Sequence, residues 1–169
     1  MKKIIVILLT AVLFISCSAV KKNEINMQKQ YEILLNEWKL PELEILLEKN
    51  SGAEEAEITE KYKKLLRERK EDAKALEDMI QTLKVQLESN DFENIEMYFD
   101  DTFVNRKILS ELKNIDFSQM KIMYTKPEFY KNKAFNTVAV IFTDNVQYFR
   151  FSYKLSNRKW SIIEIKDGR

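Results

Sequence analysis

Histidine is missing from this chain of 169 residues, and cysteine occurs once, at Cys17. Without an imidazole there is no His general base, no Ser-His-Asp type of triad and almost no route to a zinc site. A lone cysteine cannot form an intrachain disulfide. Glycine and proline occur only twice each, so neither residue marks many of the turns. Charge of one sign is not in excess either, with 28 Lys+Arg against 27 Asp+Glu. A surface that neutralises nucleic-acid phosphates would leave a basic surplus, so no nucleic acid partner is expected. What the chain does hold is 11% aromatic residues, enough for a packed core. Its length suits one compact domain, or a helical arm joined to a small one.

The N-terminus reads as an address and an anchor. Lys2 and Lys3 precede an apolar run from Ile4 to Ile15, and Ser16, Cys17, Ser18 and Ala19 follow. That run is too short for a bilayer span, which takes about 20 residues, and has the length of a signal-peptide core. The segment Phe14-Ile15-Ser16-Cys17 resembles the lipobox of bacterial lipoproteins, with Phe14 standing where Leu is preferred. The resemblance implies a signal peptide over residues 1–16, a diacylglycerol thioether on Cys17, and a fatty acyl group such as palmitate on the new amino terminus. Two or three acyl chains hold a protein stably on a membrane where one does not. An ordinary secretory signal with an incidental cysteine is the plainer alternative. Ser18 lacks the Asp that favours inner-membrane retention. The cell envelope is therefore the expected location, at the periplasmic side of the outer membrane if the organism is diderm.

Beyond the signal, composition changes near residue 90. Residues 18–91 carry only Tyr31, Trp38 and Tyr62 as aromatics, and the remaining stretch is rich in them. The first stretch reads as helical: a tether and short helical hairpin over 17–52, with Pro41 opening its second helix and Asn50-Ser51-Gly52 closing it. A long helix follows from about Ala53 to Glu88 and begins a second unit, 53–169. Its Ala73, Leu76, Ile80, Leu83 and Leu87 step 3-4-3-4, the spacing of a coiled-coil seam. The run Arg67 to Asp72 interrupts the stripe with consecutive charges, so the middle of the helix is expected to face water. Ser89-Asn90-Asp91 ends it, and another helix is expected from Phe92, with Met97, Tyr98, Phe99 and Phe103 on its apolar face.

The last third reads as four strands. Gln119–Lys126 places Met120, Ile122 and Tyr124 on one face, and Ala134–Phe142 is mainly apolar. Val146–Leu155 aligns Phe149, Phe151, Tyr153 and Leu155, and Lys159–Lys166 sets Ile163 and Ile165 opposite Trp160 and Ile162. Short polar turns between them imply an antiparallel meander. The expected fold class is α+β: N-terminal helices including one long helix, then a curved antiparallel four-stranded sheet packed on it.

This order, with Leu83-x3-Leu87-x2-Asn90-Asp91-Phe92-x2-Ile95-x2-Tyr98-Phe99 and a terminal Trp160, resembles the nuclear transport factor 2-like (cystatin-like) superfamily over about residues 75–166. The resemblance implies a sheet wrapped on a long helix around an apolar pocket. Tyr98, Phe99, Phe103, Tyr124, Phe142, Phe149, Phe151, Tyr153 and Trp160 are the candidate lining. Enzymes of that superfamily project an acid or base into the cone, for which Asp100, Asp101, Asp116, Asp144 and Glu164 are available. Adjacent Asp100 and Asp101 would diverge by about 100° on a helix, so at most one would point inward; helix capping is the simpler role. No cofactor, metal or catalytic residue is expected. The leading functional expectation is a non-catalytic, lipid-anchored module binding a small apolar ligand or a protein segment. The alternatives are a scaffold pairing through its helical arm, and an isomerase- or cyclase-type enzyme by fold analogy. Lys126, Lys131, Lys133, Arg158 and Lys159 form either a patch toward lipid headgroups or ordinary hairpin lysines.

Overall fold

A computed structural model describes residues 25–50 and 56–168, apart from the side chain of Phe103. The expected signal segment and Cys17 lie outside the described residues, as do Ser51 and Gly52. The described chain is α+β. Helices α1 (25–36), α2 (Leu40–Lys49), α3 (Ala56–Glu88) and α4 (Phe103–Leu112) precede five strands: β1 (Lys121–Tyr124), β2 (Glu128–Tyr130), β3 (Lys133–Phe142), β4 (Asn145–Ser156) and β5 (Lys159–Asp167). None of these helices is long and apolar enough to cross a membrane. Two compact units divide the chain at Arg67 and Glu68, inside α3.

The division has a local cause. In the first unit Tyr62 and Leu66, from the opening turns of α3, join Tyr31, Leu43 and Leu47 in one core. Tyr31 and Tyr62 meet with ring centroids 5.0 Å apart. Asn50 donates to the Tyr31 hydroxyl at 3.1 Å, and the Tyr62 hydroxyl donates to Glu32 at 3.3 Å. Pro41 stands in the first turn of α2, where its missing N–H leaves nothing unbonded.

The second unit packs a sheet on the rest of α3. Of the coiled-coil-like stripe, Leu76, Ile80, Leu83 and Leu87 are buried here within the chain, and Ala73 is half-buried. Of the charged run expected to face water, Arg67, Lys70 and Glu71 do so, but Asp72 at its end is only 6% exposed. Arg158 reaches over from the β4–β5 turn and donates to its carboxylate at 3.2 Å and to Glu71 at 2.8 Å. Trp160 donates its indole N–H to the Asp72 carbonyl at 2.7 Å. A charge pattern on one helix could not announce a partner 86 residues away.

α3 ends where expected, in a Schellman motif. Asn90 adopts φ 54°, its N–H reaches the Leu87 carbonyl, and the Asp91 N–H reaches that of Gln86. The Asn90 side chain then donates to Asp116 and accepts from the Phe117 N–H at 2.8 Å, tying the α4–β1 connection to the helix end. The segment after it differs from expectation. Instead of a helix from Phe92 there is a 3-10 turn over Ile95–Tyr98, with Met97 on its outside at 71% exposure. Phe99 is extended and bridges to Ile162, and α4 starts only after Thr102, whose hydroxyl accepts from the Asn105 N–H at 3.2 Å.

All strand pairings are antiparallel, in the order β1-β3-β4-β5, with β2 pairing on β3. The sheet thus has one strand more than the four expected: three residues after Pro127 continue alongside β3. Opposed residues share a face, so Ala134/Tyr153, Asn136/Phe151, Val138/Phe149 and Val140/Gln147 form an inner face toward the helices. On β5 the expected phase is corrected by a bulge. Tyr153 pairs with Ile162 and Ser152 with Glu164, which leaves Ile163 as the extra residue. Ile165 therefore returns to the inner face with Trp160 and Ile162. A two-residue turn joins β4 to β5, and Asn157 and Arg158 both take positive φ, as a type I′ hairpin requires.

Candidate functional site

The inner face is closed at one end and open at the other. Toward the β4–β5 turn it is filled by Tyr153, Trp160, Ile162 and Leu76. The Tyr153 hydroxyl donates to Asn136 at 2.9 Å, and burial pushes its pKa up. Toward the β3–β4 turn the side chains are the smaller Val138 and Val140, and the helices do not fill the space. A cavity of about 440 Å³ remains there, within the range of small-molecule pockets.

Four elements supply its walls. The sheet contributes Ile122, Val138, Val140, Phe149, Phe151 and Ile165; α3 gives Leu83 and Leu87; α4 gives Ile108 and Leu112. The α4–β1 connection adds Ile115, Phe117 and Met120, and Phe99 completes the lining. Its polar residues are Glu111, Gln147, Lys166 and Asp167. Glu111 lies 3.8 Å from Lys107, and Lys166 lies 2.9 Å from Glu164. Those two charges are therefore matched by neighbours on their own elements; Gln147 and Asp167 are the other polar residues, and the rest of the lining is apolar.

Of the nine aromatics considered from sequence, the structure places Phe99, Phe149 and Phe151 in the cavity wall. Tyr153 shares the face of Phe149 and Phe151 but lies further along β4, at the closed end. Trp160 is there too, its ring 6.0 Å from Phe129. Tyr124 donates to Gln81 of α3 at 2.7 Å instead. Phe142 is about half exposed at the β3–β4 hairpin, and Tyr98 is half-buried in the 3-10 turn. The residues that sequence reasoning missed are the aliphatic ones, above all Ile108, Leu112 and Ile115 from α4 and its connection. An apolar i, i+4, i+7 spacing in Ile108, Leu112 and Ile115 is the available signal.

The five carboxylates weighed as acid or base candidates all lie outside the lining. Asp100 accepts from the buried Asn105 amide, which also donates to the Ile162 carbonyl at 3.1 Å and so fastens α4 to β5. Asp101 is exposed, 3.4 Å from Arg106. Asp116 accepts from the Asn90 amide and the Ser118 N–H, and those bonds hold its pKa below the ordinary value. Asp144 is exposed in the β3–β4 turn, and Glu164 bridges to Lys166. Among the described residues no three carboxylates or other metal-ligating side chains gather as a cation site. Compared with known proteins, the chain matches no family model, no curated protein and no solved structure.

Proposed function

We propose that this is a lipid-anchored envelope protein whose α+β domain, of the nuclear transport factor 2-like kind, binds a small apolar ligand without transforming it. The observation that carries the reading is the cavity between the open end of the sheet, α3 and α4. An apolar wall with a few polar groups is the usual make-up of a ligand pocket. Most of the wall is apolar, and Glu111 and Lys166 are each matched by a neighbour, which favours a molecule without net charge. Catalysis would need a group held at the reacting atom with a tuned pKa, and the candidate carboxylates are engaged or exposed elsewhere. The anchor rests on the Ser16-Cys17 junction behind a signal-length apolar run.

Titration with the neutral fluorophore N-phenyl-1-naphthylamine tests the binding reading. Fluorescence should rise saturably with the parent protein, and the rise should be lost in Val140→Phe, which puts a ring into the cavity. Equal signals from the two chains would mean that the probe sits elsewhere, and the ligand-binding reading would fall.

A further inference from the structure

The outer face of the sheet carries charge in an arrangement that the fold alone does not favour. Lys133 of β3 stands directly opposite Lys154 of β4, and Arg150 of β4 directly opposite Lys166 of β5. Opposed side chains have Cβ atoms about 5 Å apart, and like charges in that position are destabilising. The usual explanation of strand lysines, protection of a free edge, does not reach the first pair. Lys133 is flanked by Tyr130 of β2 on its other side, and Lys154 by Ser161 of β5, so both are interior. Glu164 answers Lys166; the acids on this face, Glu164 and Glu128, are outnumbered by its cations.

Toward the β3–β4 hairpin the same face is mainly apolar. Ala139 links Met123 to Tyr148 across three strands, and Val146 pairs with Ile141 one step beyond. Met123, Val146 and Tyr148 are each about half exposed, as is Tyr130 beside Lys133. Cations next to exposed aliphatic and amphipathic aromatic side chains are the composition of a surface that rests in a bilayer interface. The helices of this unit pack on the opposite face, and Met123, Val146, Tyr148 and Tyr130 stay open to solvent.

We propose that the outer face of the sheet docks on an anionic phospholipid surface. The phosphates screen the Lys133–Lys154 and Arg150–Lys166 pairs, and Met123, Val146 and Tyr148 enter the headgroup layer. The proposal rests on the membrane-anchored reading for its geometry: a tethered domain meets a lipid surface at high effective concentration. It also has a result of its own to stand on, because the anchor is indifferent to headgroup charge and this surface is not.

The experiment is lysine acetylation footprinting of the full lipidated chain, reconstituted in phosphatidylcholine vesicles with or without phosphatidylglycerol. Attraction to an anionic surface is worth about a fivefold change in partition per lysine. Lys133 and Lys154 should therefore acetylate about fivefold more slowly with phosphatidylglycerol, while Lys74 and Lys107 on the helices keep their rates. The difference should vanish in 1 M salt, where screening acts within about 3 Å. In Lys133→Gln/Lys154→Gln the protection of Lys159 should fall, without loss of thermal stability, since a repulsive pair has been removed. Equal rates in the two vesicles overturn the proposal. So does equal protection by soluble glycerol phosphate, which assigns the face to free phosphate, or protection that grows with protein concentration, which assigns it to a second copy. Flotation with phosphatidylcholine vesicles reads the anchor separately, so loss of flotation with retained phosphatidylglycerol protection would remove the anchor and leave the surface.

Discussion

Tyr153→Phe isolates the polar bond that closes one end of the inner face. Tyr153 is fully buried, and its hydroxyl donates at 2.9 Å to Asn136, itself buried. Removing the hydroxyl keeps the ring and its packing but strands the Asn136 carbonyl oxygen away from water. An acceptor left in that state costs about 1–3 kcal/mol. Taking about 2 kcal/mol and an ordinary urea m-value, the midpoint should fall by about 1 M. Urea unfolding followed by Trp160 fluorescence in a Trp38→Phe background reads this unit, because Trp160 belongs to it. Tyr148→Phe, half exposed on the other face, should change stability by less than about 0.5 kcal/mol.

The same variant carries a pH signature. Burial raises the Tyr153 pKa above its ordinary value of 10.0. Above pH 10 the unfolded chain ionises this tyrosine while the native one keeps its proton. The unfolded state then binds fewer protons, so native stability declines with pH, by up to about 1.4 kcal/mol per unit. A phenylalanine in its place has no proton to keep. The gap between parent and variant should therefore be full below pH 10 and shrink above it. A midpoint unchanged at neutral pH, or a gap that widens in alkali, would refute the argument.

Cys17→Ser should leave the protein unprocessed or release it from membranes, and an unmodified Cys17 in the mature parent by mass spectrometry would contradict the anchor. Asn90→Ala should cost about 1–2 kcal/mol, because at φ 54° alanine lacks the short polar side chain that lets Asn adopt this conformation, and the bonds to Asp116 and Phe117 go with it; Asn90→Gly, free of Cβ, should lose only those bonds, which calorimetry can separate. A chain of residues 92–169 should aggregate, since it lacks the α3 side chains that cover the inner face, and light scattering would show a stable monomer if that is wrong.

The regular elements were legible because their periods are strong. Leu76, Ile80, Leu83 and Leu87 fall on one side of any helix, and Phe149, Phe151 and Tyr153 on one side of any strand. What could not be read depended on contacts distant in sequence. The bulge at Ile163 inserts an apolar residue among apolar residues, so alternation on β5 gives no sign of the slip. The burial of Asp72 is imposed by Arg158. The cavity itself is a space, set by how far α4 stands from Val138 and Val140. Aromatic content pointed to the right face of β4 but not to the right end, because a tyrosine that fills a core and a phenylalanine that lines a hollow follow the same alternation.

That distinction between the ends also weighs the functional readings against each other. The 3-4-3-4 stripe of α3 is the support for a scaffold pairing through a helical arm. A seam can serve a partner helix only if it is free, and Leu76, Ile80, Leu83 and Leu87 are buried under the chain's own sheet. Exchanging the sheet for a partner would expose Tyr153, Trp160 and Ile162 together with the inner halves of five strands. At about 25 cal/mol for each Å² of apolar surface, uncovering even Trp160 and Tyr153, at about 150–250 Å² apiece, would cost roughly 8–12 kcal/mol before any new contact formed. That is comparable with the whole stability of a domain of this size. The stripe belongs to the core, so the scaffold reading loses the support that the heptad spacing gave it.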